Sequence, residues 1–153
     1  MFRVLKALVT IILKNITLQR GLYSLAFLAF GVGDGITSAY MMSSQGPYSE
    51  ANPVIRTSFM IEGFDGMVMF KLWITFIMLL AIYVKSYSNG YWTVNFVLFA
   101  IIAGGLMGIY SNMSVINGAA PPEPGGILLI YAAMVLIFIQ IGSFIDTHIA
   151  CEH

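Results

Sequence analysis

Charge is what this chain has least of: Asp, Glu, Lys and Arg make up 9% of its 153 residues, where an ordinary water-soluble domain carries about 25%. With 59% hydrophobic residues and a mean hydropathy of +0.87, it has too little polar surface to dissolve in water. The class that fits is a membrane protein. Seven basic and seven acidic residues cancel, and no basic run suits a phosphate backbone, so nucleic acid is not expected as a partner. A single cysteine, Cys151, excludes an internal disulfide. Both histidines, His148 and His153, follow the last apolar run. With none inside a span, haem and di-metal oxidase chemistry lacks its ligands. A nucleophile elbow, a phosphate-cradling loop and a His-Glu-x-x-His motif are missing too.

What is present is four long apolar runs, at about residues 22–42, 66–84, 91–110 and 127–145. Each is near the ~20 residues that carry a helix across ~30 Å of hydrocarbon. The short segment 85–90 makes the second and third runs an antiparallel hairpin. Ahead of the first run, Arg3, Lys6, Thr10, Lys14 and Thr17 share one helical stripe, and Leu5, Leu8, Val9, Ile12 and Ile16 the opposite one. That spacing predicts an amphipathic helix over 3–18, lying in the headgroup layer or packed on helices of this protein or a neighbour. Lys14 interrupts its apolar stretch and no small-x-small cleavage site follows, so mature structure is expected there rather than a signal peptide. The expected fold is a single all-α membrane domain over 1–153. Four transmembrane helices follow an N-terminal amphipathic interfacial helix, with a further short helix in the first outer loop.

Orientation follows from the basic residues. Arg3, Lys6, Lys14, Arg20 and Lys85 fall on one side and Arg56 on the other, which places both termini in the cytoplasm, the spans crossing the plasma membrane. Tyr23, Tyr83, Tyr87, Tyr91 and Trp92 would mark the inner interface, and Tyr40, Tyr48, Tyr110 and Tyr131 the outer one. In the outer loop 43–65, Asn52-Pro53 is a helix start and Gly63 a stop, predicting a short helix over 53–62. The second outer loop, 112–126, holds Ala-Ala-Pro-Pro-Glu-Pro-Gly-Gly and reads as a stiff, exposed connector.

The unusual stretch is 31–71. It sets a carboxylate, Asp34, in the first run and an amine, Lys71, in the second, with Glu50, Asn52, Pro53 and Arg56 between them. Each charge within hydrocarbon costs roughly 2.5–3.5 kcal/mol on insertion scales, so it needs a partner or a wet cavity. At ~1.5 Å per residue, Asp34 lies ~12 Å below the outer interface and Lys71 ~8 Å below it, within reach of each other. The pair serves either to pin two helices or to hold a ligand, and Glu50 would compete for the amine if its loop folds back. Gly31, Gly33 and Gly35, with Thr37 and Ser38, surround Asp34. In the third run Gly104, Gly108 and Asn112 recur every four residues, with Gly105 beside them. Such faces predict close packing of spans one and three, with Asn112 reaching the cluster, or a narrow polar cavity for a small ligand or ion. Asn95 and Gln140 are expected to share a hydrogen bond of about 0.6 kcal/mol, without a functional role.

The tail supplies His148, Cys151 and His153 as the candidate metal ligands, suited to zinc or copper, though no further histidine exists to close the site. No other cofactor is expected. Met41, Met42, Met60, Met67 and Met69 offer soft sulfur near the outer face, mostly as flexible packing groups. Glycosylation sequons begin at Asn15 and Asn112, the first on the cytoplasmic side and the second against the membrane; both are discounted.

The pattern Asp34-x-x-Thr37-Ser38, then Gly46, Glu50-x-Asn52-Pro53-x-x-Arg56, then Lys71, resembles a family of short prokaryotic (archaeal and bacterial) membrane proteins. Its members carry D-x-x-T-T, then E-x-N-P, then an in-membrane lysine, and often an asparagine closing the third span. Asn112 or Asn117 matches that last position, and Ser38 keeps the hydroxyl of the usual second threonine. The family is an uncharacterised domain of unknown function. The resemblance therefore implies that the outer polar cluster acts as one unit and supplies no activity. It covers spans one to three and leaves the amphipathic helix and the fourth span outside.

The functional expectation is a non-catalytic polytopic protein, either an accessory subunit of a larger membrane complex or a homo-oligomer. Its partners would be the lipid bilayer and other membrane subunits or copies of itself. The alternative is a small transporter, channel or ligand-binding protein using Asp34, Thr37, Ser38, Glu50, Asn52, Arg56, Lys71 and Asn112. An enzyme with Lys71 or Glu50 as acid or base has the least support.

Overall fold

Four long helices carry the fold in a computed structural model that describes residues 17–86, 90–120 and 123–148. All regular structure among the described residues is helical. The first helix, α1 (Leu18–Gln45), starts at Thr17, whose extended backbone and side-chain oxygen cap the amide of Arg20 at 3.4 Å. Thr17 and Leu18 therefore belong to the start of α1 and not to the end of an amphipathic helix; the rest of that expected helix, 3–16, lies outside the described residues. Within α1, residues Phe27–Gly33 adopt π-helical geometry, and α-geometry resumes at Asp34. Such segments are rare and gather at functional sites. Gly46 (φ +89°) ends the helix, in a conformation open to glycine.

A single 3₁₀ turn (Pro47–Ser49) leads to α2 (Pro53–Lys85). The Asn52 side chain accepts from the amide of Val54 at 2.9 Å and Pro53 fills the first turn, where a missing N–H costs nothing. Gly63 (φ +69°, ψ −163°) interrupts the helix, so the short loop helix and the second span run on as one bent element. The third helix, α3 (Tyr91–Ile116), ends in a Schellman motif. There Ala119 N–H reaches the Ser114 carbonyl, Gly118 N–H reaches the Val115 carbonyl, and Gly118 sits at φ +92°. Residues 112–116, expected in a connector, are thus its last helical turn. The fourth helix, α4, spans Pro124–His148. All four outrun the apolar runs that mark them, because backbone hydrogen bonding continues through polar turns that apolar periodicity does not register.

All four are long and apolar enough to cross a membrane, as in a multi-pass membrane protein. α3 is central. It packs on α1 and on α4, while α2 packs on α1. A Cβ at Gly105 would lie 2.6–2.8 Å from backbone atoms of Ala29 and Phe30, so α1 and α3 touch main chain to main chain. Two apolar layers fill the bundle. Ala39, Met41, Met42, Ile55, Met67 and Val115 lie near the end bearing the 46–52 loop, and Leu22, Ala26, Leu79, Val94 and Leu98 lie at the other. Met41, Met42 and Met67 are therefore core, while Met60 and Met69 are exposed.

At the far end Asp146 fastens α4 to α3. Its carboxylate accepts from the amides of Trp92 and Thr93 at 2.9 and 2.8 Å and from the Thr93 hydroxyl at 2.7 Å. The α3 N-cap is Gly90, which has no side chain to cap with, and a residue from another helix supplies the acceptor. Asp146→Ala is expected to lower stability by about 2 kcal/mol, the upper end for a lost cap, as read by thermal unfolding in detergent. An unchanged melting temperature would show the cap to be idle.

The expected Asn95–Gln140 hydrogen bond does not form. Asn95 is fully enclosed with neither amide atom bonded to protein, whereas Gln140 stands on the exposed face of α4. Replacing an unsatisfied buried amide by an apolar group of similar size removes a desolvation cost. Asn95→Leu should therefore stabilise the fold by about 1 kcal/mol in detergent unfolding. A loss of that size would instead reveal an occupant bonded to the amide.

Candidate functional site

The polar cluster is built on α1, immediately after its π-helical segment. Asp34 and Lys71 are each 8% exposed, and Asp34 Oδ2 meets Lys71 Nζ at 2.6 Å. The other carboxylate oxygen accepts from Asn112 Nδ2 at 3.0 Å. Asn112 also donates to Thr37 Oγ1 at 3.1 Å, and that hydroxyl donates to the Gly33 carbonyl at 2.9 Å. Gly108 makes room: a Cβ there would lie 2.5 Å from Asp34 Oδ1. The ammonium finds a second, weaker acceptor in the Asp34 carbonyl at 3.4 Å.

One turn toward the loop end, Ser38 donates to Glu50 Oε2 at 2.5 Å, while Glu50 Oε1 accepts from the amide of Asn52 at 2.8 Å. Arg56 gives two N–H groups to the Glu50 carbonyl, at 2.7 and 3.2 Å, and lies over the Tyr48 ring at 5.1 Å. The loop is thereby tied down on α1. Glu50 does fold back, but its carboxylate goes to Ser38 and the Asn52 amide and leaves the amine to Asp34. Of the eight residues named from sequence, six are bonded through side chains in two sets: Asp34, Lys71, Asn112 and Thr37 in one, and Ser38 with Glu50 in the other. Asn52 takes part through its amide, and Arg56 through the Glu50 carbonyl. Asn117, the other match for the closing asparagine, caps α3 and is exposed.

These groups do not seal against one another. Asp34, Glu50, Asn52, Lys71 and Asn112 line a cavity of about 670 Å³, bounded at the loop end by 49–55 and elsewhere by Ile74 and Thr75 of α2, Ser111 of α3, and Ile127 and Tyr131 of α4; Thr37, Ser38 and Arg56 stand behind its wall. Sequence reasoning misses Thr75 and Tyr131. Thr75 is fully buried one turn below Lys71, whose carbonyl its hydroxyl bonds at 2.8 Å; the i, i+4 spacing from the lysine is its only signal. Tyr131, expected as an outer interface marker, instead turns inward and donates to the Gly104 carbonyl. It does so because Gly104 leaves that stretch of α3 open to the ring.

Of the expected metal set, His148 closes α4, stacked on Phe144 with ring centroids 4.4 Å apart and Nδ1 3.0 Å from the Phe144 carbonyl. Cys151 and His153 lie outside the described residues. Among the described residues no three metal-ligating side chains come together.

A family model described as Domain of unknown function (DUF5658) matches residues 25–117, more than half of the chain. The chain belongs to that family. The DUF5658 match takes in α1 from Leu25, the loop, α2 and α3, and so holds every member of the polar cluster. It ends before α4, which brings Tyr131 and Ile127 to the cavity from outside the DUF5658 region. No curated protein and no solved structure matches the chain.

Proposed function

We propose that the protein is a non-catalytic, multi-pass plasma-membrane protein that takes a small polar or amphiphilic ligand into the cavity over Asp34 and Lys71. One observation carries this reading: the buried ion pair forms a wall of a cavity instead of being enclosed by side chains. A pair kept only to pin two helices needs no such space, and 670 Å³ falls within the range of small-molecule sites. The π-helical turn that presents Asp34 supports it. The loop end faces outward in this reading, since Arg20 and Lys85 stand at the opposite end and, among the described residues, only Arg56 at this one. The Asp34-x-x-Thr37-Ser38, Glu50-x-Asn52-Pro53 and Lys71 pattern is taken as the signature of a prokaryotic family with this cluster in common.

The test is native mass spectrometry of the wild type and Asp34→Asn/Lys71→Met, both released from the same membranes. The wild type should carry a small-molecule adduct of constant mass, and the double variant should remain folded without it. A bare wild type, indistinguishable from the double variant, would defeat the proposal.

A second reading, a subunit of a membrane complex or a homo-oligomer, draws on α4. That helix packs chiefly on α3 and leaves Leu129, Leu136 and Ile137 bare at 72%, 62% and 58% exposure. Purification in mild detergent tests it, by whether other chains or further copies stay attached.

A further inference from the structure

We infer that the ligand of this cavity is a net-neutral, largely apolar molecule with an acceptor oxygen, such as a ketone or ester carbonyl, that takes a hydrogen bond from the Lys71 ammonium. This rests on the ligand-binding reading above and names the ligand class.

The acceptor follows from what each charged group has left to offer. Every carboxylate oxygen of the cluster already accepts a hydrogen bond. Asp34 Oδ2 takes the Lys71 ammonium at 2.6 Å, and Asp34 Oδ1 takes Asn112 Nδ2 at 3.0 Å. Glu50 Oε2 takes the Ser38 hydroxyl, and Glu50 Oε1 the Asn52 amide at 2.8 Å. The ammonium is less well served. It brings three N–H groups. Among the described residues it meets one close acceptor, Asp34 Oδ2, and one long one, the Asp34 carbonyl at 3.4 Å. Lys71 lines the cavity and is 8% exposed, so the donor capacity it has left is met from the cavity. Hydrogen bonds from a charged donor are the strong ones, and a ligand that displaces water without accepting one leaves that N–H stranded. Asn112 has given its N–H groups to Asp34 and Thr37 and offers only a neutral oxygen.

Neutrality follows from the charge balance. Asp34 and Glu50 are matched by Lys71 and Arg56, the lysine on the Asp34 carboxylate and the arginine beside Glu50 with two N–H groups on its carbonyl. A ligand ion would bring a charge that nothing in the cluster is left to match. A carboxylate would reach the ammonium only as a rival to Asp34, and a second ammonium would stand beside Lys71 among carboxylates already engaged. An ion taken from water without a partner is strongly disfavoured, whereas a neutral carbonyl loses little and gains the charged donor. The body follows from the remaining walls, where Phe30, Met41, Val54, Ile55, Ile74 and Ile127 offer apolar surface to hydrocarbon.

The test uses the full chain in lipid nanodiscs with undecan-2-one as probe and undecane, undecanoate and undecylammonium as comparisons, all at equal mole fraction in the bilayer. Binding is read by thermal shift and by displacement of the native adduct, and the contact by the infrared stretch of an isotope-labelled ketone carbonyl. Undecan-2-one should bind about tenfold more tightly than each of the other three, the factor expected of one charge-assisted hydrogen bond. Its carbonyl band should fall below that of the ketone dissolved in lipid alone. Asp34→Asn/Lys71→Met should lose both the tighter binding and the band shift. Equal binding of undecane overturns the need for an acceptor. Equal or tighter binding of undecanoate or undecylammonium overturns neutrality. A bound ketone whose band stays put, or shifts as far in the double variant, overturns the Lys71 contact. Failure of every probe while the wild type still carries a native adduct overturns the ligand class and leaves the cavity reading standing. Failure of every probe on a protein with no adduct removes both.

Discussion

Asp34→Asn alone, or Lys71→Met alone, is expected to destabilise the protein by about 3 kcal/mol, and the double variant to recover most of that loss. Either single change leaves one charge with its partner gone. Lys71→Met strands the Asp34 carboxylate on a single amide donor, Asn112. Asp34→Asn leaves the Lys71 ammonium with little besides a backbone carbonyl at 3.4 Å. Broken buried pairs generally cost about 3–5 kcal/mol. The lower end applies because both side chains border the cavity, where solvent can relieve part of the penalty. Unfolding titrations in mixed micelles measure all four proteins of the cycle. Singles within about 0.5 kcal/mol of wild type would mean that the pair is already solvated, and would remove the argument that lipid forces the two groups together. Recovery of stability in the double variant is compatible with loss of its ligand, since the first reports the charge balance and the second the recognition.

Gly105→Val should be as damaging, at about 3 kcal/mol, for a steric reason. The new Cβ would press on the carbonyl carbon of Ala29 and on the amide nitrogen and Cα of Phe30, at 2.6–2.8 Å. No flexible side chain stands there to swing aside, so α1 and α3 must part. Overpacking normally costs about 1–3 kcal/mol, with the high end where backbone must move. Separation would also stretch the Asn112–Asp34 contact, because Asn112 lies two turns further along the same face. Gly126→Ala is the control. Nothing lies within 4 Å of its Cβ, and alanine in a helix is favoured over glycine by up to about 1 kcal/mol. If both substitutions shift the melting temperature alike, the close approach of α1 and α3 is not what holds the bundle.

The parts of this molecule legible in its sequence are those where hydrocarbon makes exceptions conspicuous. Four long apolar helices, and two opposite charges inside them, stand out because a bilayer would impose a cost of several kcal/mol on each buried charge. The start at Asn52-Pro53 and the break at Gly63 are visible because cap and turn chemistry is local. What escapes depends on how helices face one another. Asn95 and Gln140 are matched in depth and chemistry, yet one is enclosed and the other looks outward, and depth alone does not fix rotation. Asp146 has the look of a tail residue, because a cap borrowed from another helix leaves no mark on the helix that uses it. Tyr131 suits an interface by its position near a span end, and only the gap over Gly104 explains its inward turn.

A straight helix advances about 100° per residue, so eight residues after Ala26 it would have swung some 80° past Ala26's own direction. Residues Phe27–Gly33 absorb that excess with their wider turns, and Ala26 and Asp34 both end up buried in the bundle. The helix thus carries one residue more than its neighbours' register requires, and that surplus decides which way the carboxylate looks. Removing a single residue between positions 27 and 33 would let the coil relax to an ordinary pitch while keeping both halves of the helix in register with their surroundings.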